Sequence, residues 1–179
     1  MRFFSLLLGA SLLVALSACS NTVENSDPTG QNFPQVSGQS LEKVDVILPT
    51  QLAGKHRLLL IGYVQDAQFD IDRWLIGLDM VQANVTAYEI PTIKGLAPRM
   101  FEQFINDGMR AGIPKEIWGG VITVYKGAEK IVNLTGNENP NNARVILLDD
   151  DHKIIYFYDR GFSVAALNDV RQLTESDAQ

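Results

Sequence analysis

The stretch covering residues 57–64 places the strongest constraint on the fold of this chain. It reads Arg-Leu-Leu-Leu-Ile-Gly-Tyr-Val, and it is nearly all apolar rather than alternating between apolar and polar residues. A strand with one face in water alternates, whereas a strand that is covered on both faces is apolar throughout. The run therefore predicts a central β-strand with packed layers on both faces of its sheet.

Helical patterns follow this strand. Residues 69–83 carry apolar side chains at helical spacing, and residues 85–90 predict a further strand that Pro91 ends. We expect a second helix from about Pro98, with an apolar face turned toward the core. That face comprises Met100, Phe101, Phe104, Ile105 and Met109.

The remaining strands complete the fold class. Residues 44–48 predict a short half-buried strand, and residues 121–125 predict a β-branched one. Residues 143–148 and 153–158 predict two strands joined as a hairpin, and Ser163 is expected to cap a final helix. Helix-linked strands followed by a hairpin and a helix predict an α/β sandwich, with a central mixed β-sheet flanked by helices.

The N-terminus has the pattern of a secretory signal. Arg2 opens the chain, and an apolar run over residues 3–16 follows, shorter than the roughly 20 residues that a membrane span needs. The run ends in Leu-Ser-Ala-Cys, which resembles the lipobox of bacterial lipoproteins. The resemblance implies that residues 1–18 are a removed signal peptide. It also implies that Cys19 becomes the first mature residue and carries lipid, including an acyl chain such as palmitate.

The same resemblance implies a location and a domain organisation. Ser20 rather than Asp follows the cysteine, which favours the outer membrane, so we expect a lipid-anchored envelope protein facing the periplasm. Residues 19–32 are polar and predict a flexible tether. Residues 33–174 would form the folded domain, and residues 175–179 would form a polar tail.

The net charge of the chain limits the classes of partner that it can bind. The net charge is −6 and no basic run is present, which argues against a nucleic-acid partner. It also argues against electrostatic docking on anionic lipid, so we expect membrane contact through the lipid on Cys19.

A single cysteine limits the chemistry. Cys19 is the only one in the sequence, so a mature domain would have no disulfide, no thiolate nucleophile and no cysteine-ligated metal. The sequence also contains no phosphate-binding glycine loop and no nucleophile-elbow serine. From these absences we expect no cofactor, no metal centre and no enzymatic activity.

Several short motifs resemble those of thioredoxin-like domains. Leu147-Leu148-Asp149 followed by Lys153-Ile154 is similar to their terminal hairpin, and Gly161 stands before the last helix as it does there. The resemblance implies a thioredoxin-like sandwich. In redox-active members a Cys-x-x-Cys motif follows the first central strand, and residues 64–68 occupy that place here without sulfur.

Within that superfamily the chain resembles the mitochondrial ATP synthase assembly-factor family and its bacterial relatives. The resemblance covers about residues 33–174 and implies a role in assembling a protein complex. The similar residues are Phe33-Pro34, Gly38, Leu41, Leu48-Pro49, Gly108-Met109-Arg110 and residues 145–149.

We expect the loop after the central strand to bind a partner. Gln65, Asp66 and Gln68 lie where the thiol motif of redox-active relatives would be. A backbone edge that receives peptide in such relatives could remain open without thiols, so a peptide could bind by strand addition. The leading hypothesis is therefore a non-catalytic domain that binds an envelope protein or peptide.

A second candidate surface surrounds the second tryptophan. Trp118 precedes Gly119 and Gly120, immediately before a predicted strand. Tryptophan is favoured in binding hot spots, so this residue is either a partner anchor or part of a core edge.

Two alternatives remain open at this level. Asp66, Asp70 and Asp72 cluster where a helix should begin, which indicates either a cation site of a carboxylate-dependent enzyme or simple helix capping. The Asp149–Asp151 turn allows the same two interpretations, and capping or a solvated turn is preferred in both places. His56 and His152 adjoin predicted turns and are expected at the surface. A purely structural envelope protein is the other alternative.

Overall fold

The computed structural model describes residues 22–95, 98 and 100–176. The predicted signal peptide, Cys19 and residues 177–179 lie outside the described residues. No helix in the described ranges is long and apolar enough to cross a membrane. The elements are β1 (Val36–Ser40), β2 (Asp45–Leu48), β3 (Arg57–Gly62), α1 (Gln68–Met80), β4 (Thr86–Pro91), α2 (Glu102–Gly112), β5 (Ile122–Thr123), α3 (Ala128–Thr135), β6 (Arg144–Leu148), β7 (Ile154–Tyr158) and α4 (Val164–Ser176).

The strands form a mixed sheet with β3 at its centre. β4 pairs with β3 in parallel, β6 pairs with β3 antiparallel, and β7 follows β6 as a hairpin. A second group in the order β2-β1-β5 is antiparallel. Two parallel bridges, Glu89 to Val121 and Thr92 to Val124, connect β5 to β4. The structure therefore confirms the predicted α/β class with a mixed central sheet and flanking helices.

The predicted central strand is buried on both faces. All six residues of β3 are buried. Leu58 and Leu60 face α1 and α4, whereas Leu59 and Ile61 face α3 and the β1–β2 hairpin. Full burial of one such side chain contributes roughly 1.5–3 kcal/mol, so each of the four leucine and isoleucine residues of this strand stabilises the fold appreciably.

One helix packs against β3 through a fully buried aromatic residue. Trp74 of α1 has no exposed surface. Its ring meets Tyr158 and Phe162 edge-on, with centroid distances of 6.0 and 5.6 Å. Edge-to-face contacts at these distances are favourable for aromatic rings. The helical apolar stripe predicted over residues 69–83 is therefore confirmed as a core face.

Strand β1 was missed by the sequence analysis. Val36 is the only large apolar residue in its Val-Ser-Gly-Gln-Ser sequence, so no alternating pattern is visible. The strand depends instead on close packing at Gly38, where a Cβ atom would lie only 2.6 Å from Ile122 Cγ2. A glycine in a strand often marks such a close approach.

The expected inward apolar face of the second helix is wrong. Met100, Phe101 and Phe104 are 81%, 59% and 80% exposed. The polar side of α2 holds it instead: buried Asn106 accepts a hydrogen bond from the Tyr125 hydroxyl at 3.0 Å. A helical pattern shows that two faces differ but does not say which one is covered.

The expected surface position of His56 is also wrong. This residue is 4% exposed. Its carbonyl oxygen accepts the Thr86 amide at 3.1 Å, which begins the β3–β4 ladder and places the residue inside the end of the sheet. His152 is half-buried, and its Nδ1 lies 3.0 Å from Nη1 of Arg57.

Candidate functional site

The carboxyl ends of β3 and β4 meet at one end of the sheet. The chain leaves these strands through residues 63–67 and 92–95. Arg144 pairs with Ile61, so residues 137–142 arrive at the same end before β6 begins. In open α/β sheets, ligands bind outside the carboxyl ends of the strands. This end is therefore where a functional site is expected.

Two clefts flank the loop of residues 137–142 at this end. The first, which we call the Tyr63 cleft, has a volume of about 380 Å³. It is lined by Thr22, Tyr63, Val64, Thr92, Ile93, Lys94, Val132, Asn137, Glu138 and Pro140. Its walls thus combine aliphatic surface with a few polar and charged groups, which is the usual composition of a binding site.

The second cleft, which we call the Arg160 cleft, lies on the other side of the same loop and has a volume of about 570 Å³. It is lined by Asp66, Phe69, Asp70, Arg73, Asn141, Asn142, Arg160, Gly161 and Phe162. Arg73 and Arg160 are exposed. The surface of this cleft is accordingly charged and polar, with the exposed ring of Phe69 at its edge.

The loop predicted to bind a partner does lie at this end of the sheet. Gln65 and Asp66 are exposed in a short 3₁₀ turn that follows β3. Gln68 is half-buried, and its Nε2 donates to Asp72 at 2.9 Å and to Glu89 at 3.3 Å. The turn places Asp66 in the Arg160 cleft. Its role in partner binding stays a prediction.

The Trp118 surface is remote from that loop. Because β5 runs parallel to β4, Gly119 and Gly120 lie toward the amino end of β4, close to Glu42 and Ala87. The Trp118 ring is half-buried, and its Nε1 donates to the Ile113 carbonyl at 2.9 Å. The structure therefore does not bring the two groups of predicted site residues together.

The predicted acidic cluster is not arranged as a cation site. The Asp70 carboxylate accepts the backbone amides of Ala143 at 2.9 Å and Phe162 at 2.6 Å. Across the described ranges, no group of three His, Cys, Asp or Glu residues is arranged to hold a metal ion. Asp70 instead ties α1 to the loops before β6 and after β7.

Replacing Asp70 should distinguish these roles. Asp70→Ala leaves two amide donors without their acceptor, so we expect a loss of about 2–3 kcal/mol in the free energy of unfolding. Asp79→Ala is a matched control, because Asp79 is an exposed aspartate in the same helix and its replacement should change stability by less than about 0.5 kcal/mol. Urea unfolding measures both. Equal losses in the two variants would contradict the structural role of Asp70.

Glu89 is a site residue that the sequence analysis missed. It is 6% exposed in β4, between strand residues that are otherwise uncharged. Burial raises the pKa of its carboxyl, an effect that the Gln68 hydrogen bond opposes and the charge of Asp72 reinforces. A buried carboxyl with a raised pKa is a candidate for a functional group, because such perturbed groups cluster at functional sites. A charged residue inside an apolar strand was the available signal.

Glu89→Gln should change how stability depends on pH. The folded protein binds this proton more tightly than the unfolded chain, so the stability from this group is complete in acid and is lost as pH rises through the raised pKa. The variant should therefore have a higher free energy of unfolding than the parent at a pH above the raised pKa, and its stability should vary less with pH. Thermal unfolding across pH 4–8 tests this. Exposed Glu116→Gln should leave the profile unchanged, and a parallel shift in both variants would count against Glu89.

Tyr63 and Arg144 form a buried polar pair beside the Tyr63 cleft. Burial raises the pKa of Tyr63 to about 12, although the hydrogen bond with Thr135 and the positive charge of Arg144 both act to lower it. The Tyr63 hydroxyl lies 2.6 Å from Thr135 Oγ1, and the Arg144 guanidinium carbon lies 5.0 Å from the ring centroid. Arg144 has no exposed surface. Both residues belong to apolar sequence runs, so the sequence did not mark them as site residues.

The segment from Thr22 to Pro28, which we call the strap, lies along the wall of the Tyr63 cleft. Sequence analysis assigned it to a tether. The amide of Asn137 donates to the Val23 carbonyl at 2.9 Å, and the amide of Val23 donates to Asn137 Oδ1 at 2.7 Å. Ser26 continues the contact through its amide, which donates to the Thr135 carbonyl at 3.3 Å. A peptide chain therefore already lies against this wall.

Comparison with solved structures identifies the fold. A thiol peroxidase from Chromobacterium violaceum superposes with a TM-score of 0.55 at 12% identity, covering 88% of this chain and 92% of that one. The thioredoxin domain of a thiol-disulfide oxidoreductase from Bacteroides vulgatus gives 0.50 at 19% identity, covering 83% and 99%. BsSco, of the Sco family of cytochrome c oxidase assembly proteins, gives 0.56 at 12%, covering 84% and 97%. No family model and no curated protein matches the sequence.

The chain therefore has the thioredoxin-like fold, as its motifs predicted. The conclusion that it is not an enzyme is wrong as drawn, because the proteins that share the fold include a thiol peroxidase and a thiol-disulfide oxidoreductase. A missing thiol was too narrow a basis for excluding catalysis on a scaffold that redox enzymes use. Cys19 is nevertheless the only cysteine of the chain. Identities of 12–19% establish the fold alone.

Proposed function

We propose that this is a lipid-anchored protein of the bacterial cell envelope whose thioredoxin-like domain binds a segment of a partner protein in the Tyr63 cleft. The observation that carries the proposal is the strap, a peptide segment held along the cleft by main-chain and side-chain hydrogen bonds. A wall that satisfies the backbone of one chain segment offers the same donors and acceptors to another.

The composition of the cleft fits a polypeptide ligand. Val64, Ile93 and Pro140 supply apolar contact, while Lys94 and Glu138 supply one positive and one negative charge at the same opening. Partner segments are recognised through main-chain hydrogen bonds for affinity and side-chain pockets for specificity. Gln65, Asp66 and Gln68 follow Val64 in the chain and lie toward the Arg160 cleft, so they would contact a partner that extends beyond the Tyr63 cleft.

An assembly role is a narrower form of this proposal. The sequence resembles an assembly-factor family of the mitochondrial ATP synthase in the motifs quoted above, and BsSco belongs to a family of cytochrome c oxidase assembly proteins. Both similarities are consistent with a thioredoxin-like domain that holds another polypeptide while a complex forms. The partner would be an envelope protein rather than a nucleic acid, because the chain is acidic.

Crosslinking from the cleft tests partner binding in living cells. Val64 is 43% exposed at the cleft, and replacing it with photoreactive benzoylphenylalanine should give a discrete adduct with one envelope protein. Ile76 is 60% exposed on α1 and serves as the matched control position, where no such adduct should form. Adducts are resolved by electrophoresis and identified by mass spectrometry.

Two results would contradict partner binding in the cleft. Identical adducts from both positions would mean that the protein is captured by chance contact. No adduct from Val64 at any growth condition would favour the alternative of a structural envelope protein that binds nothing in this cleft.

Lipid anchoring at Cys19 has its own test. Metabolic labelling with an alkyne analogue of palmitate should label the parent protein, and the parent should sediment with the outer membrane in a density gradient. Cys19→Ala removes the only thiol that could carry the diacylglyceryl group, so labelling should disappear. Ser20→Ala is a matched control that should keep the label. Persistent labelling of Cys19→Ala would refute lipid attachment at this residue.

A further inference from the structure

The side chain of Asn25 is held between a buried cation and a carboxylate. Its Oδ1 accepts hydrogen bonds from Nη2 of Arg144 at 3.1 Å and from the amide of Glu138 at 2.9 Å. Its Nδ2 donates to Asp159 Oδ2 at 2.8 Å. A carboxamide presents one acceptor and one donor group, and both are used here. A carboxylate or an ammonium group would satisfy only one side of this arrangement.

The buried guanidinium of Arg144 explains why residue 25 needs a side-chain oxygen. The residue has no exposed surface, and its Nη1 donates to the carbonyls of Asn139 at 2.6 Å and Asn142 at 2.9 Å. Within the described part of the chain, no carboxylate forms an ion pair with it, and its buried Nε has no hydrogen-bond partner. Buried charges are normally paired. The Asn25 oxygen therefore accepts a hydrogen bond that a counter-ion would otherwise accept, while the Asp159 carboxylate stabilises the guanidinium charge from the far side of the carboxamide.

Gly136 provides the space in which the strap lies. It has a φ of +72°, and a Cβ atom there would overlap the Glu24 carbonyl oxygen and Asn25 Cα. The backbone of the strap thus rests directly on the backbone of this glycine. The surface over Gly136 thus accommodates a main chain at close distance. Arg144 and Asp159 lie on either side of the Asn25 carboxamide and would determine which side chain fits there.

The strap itself has few apolar contacts. Thr22, Glu24, Ser26 and Asp27 are exposed, and Pro28 is its one buried residue. Hydrogen bonds between partly exposed groups exchange readily with water and stabilise a segment only modestly. The strap is therefore held in a specific geometry mainly by polar contacts, which another peptide segment of similar chemistry could replace.

From these contacts we propose that the strap is a built-in competitor for the partner site, and that the site recognises a peptide segment carrying an asparagine-like carboxamide between Arg144 and Asp159. This inference rests on the proposed function, because it requires that a partner segment enters the Tyr63 cleft beside Thr22 and continues along the path of the strap. Of the strap only Thr22 lines the cleft, and Arg144 and Asp159 lie farther along that path, where Asn25 binds. Partner binding then requires release of the strap, and a partner must reproduce the contacts of Asn25.

A peptide supplied in trans tests the competition. The probe is a fluorescently labelled synthetic peptide with the sequence of residues 21–28, added to the mature protein in detergent micelles. Asn25→Ala in the protein loosens its own strap, so it should bind the probe at least tenfold more tightly than the parent. Glu24→Ala is the matched control. Glu24 is the exposed neighbour of Asn25, and the strap contacts of Arg144 and Asp159 are made by Asn25, so this variant should bind the probe like the parent. Fluorescence polarisation gives the dissociation constants.

A second peptide tests recognition of the carboxamide. The same probe with alanine in place of its asparagine should lose binding at least tenfold to the Asn25→Ala protein. The inference would be overturned if Asn25→Ala bound the two peptides equally. It would also be overturned if Asn25→Ala, Glu24→Ala and the parent all bound the first peptide equally. Thermal unfolding verifies that each variant is folded.

A reversible lock guards against loss of folding in Asn25→Ala. Val23 and Asn137 are neighbours through two hydrogen bonds, so Val23→Cys with Asn137→Cys should form a disulfide that fixes the strap. The oxidised protein should exclude the probe and the reduced protein should admit it. Binding that is equal in both states would also overturn the inference. A Val64 crosslink to a partner that persists alongside these failures would show that the proposed function stands without strap competition.

Discussion

Burial of β3 on both faces is the constraint on which the rest of the structure depends. Leu58 and Leu60 require α1 and α4 on one side, and Leu59 and Ile61 require α3 and the N-terminal hairpin on the other. Once both layers are in place, the loops that follow β3 and β4 and the loop that precedes β6 meet at the carboxyl end of β3. The clefts lie at this end because neither layer extends over it.

Polar groups then hold the loops at this edge in fixed positions. Asp70 joins the helix after β3 to the loops at residues 143 and 162, while Arg144 gathers the carbonyls of residues 139 and 142. Each group is buried and satisfies backbone donors or acceptors that water cannot reach. These contacts fix the positions of the loops, so the strap is the part of the site that a partner would have to displace.

Much of the fold could be predicted from the sequence, whereas the candidate site could be predicted only in part. The continuous apolar run at residues 57–64 and the hairpin at residues 143–158 predicted the central sheet, because burial on two faces leaves an unambiguous pattern. The outward apolar face of α2 could not be predicted, since periodicity does not distinguish a covered face from an open one. Gln65, Asp66 and Gln68 were placed at the correct end by position. Glu89, Arg144 and the strap were missed because their roles arise from contacts between distant parts of the chain.

If Cys19 carries lipid as proposed, the strap would also limit how far the domain can stand from the membrane. With Thr22 docked, three Cα–Cα steps connect it to Cys19, which span at most about 11 Å. Release back to Pro28 leaves nine such steps and about 32 Å of fully extended chain. The six residues 22–27 would then act as a retractable leash, short when the strap is docked and long when another segment replaces it. Occupancy of the cleft would thereby be converted into height above the membrane.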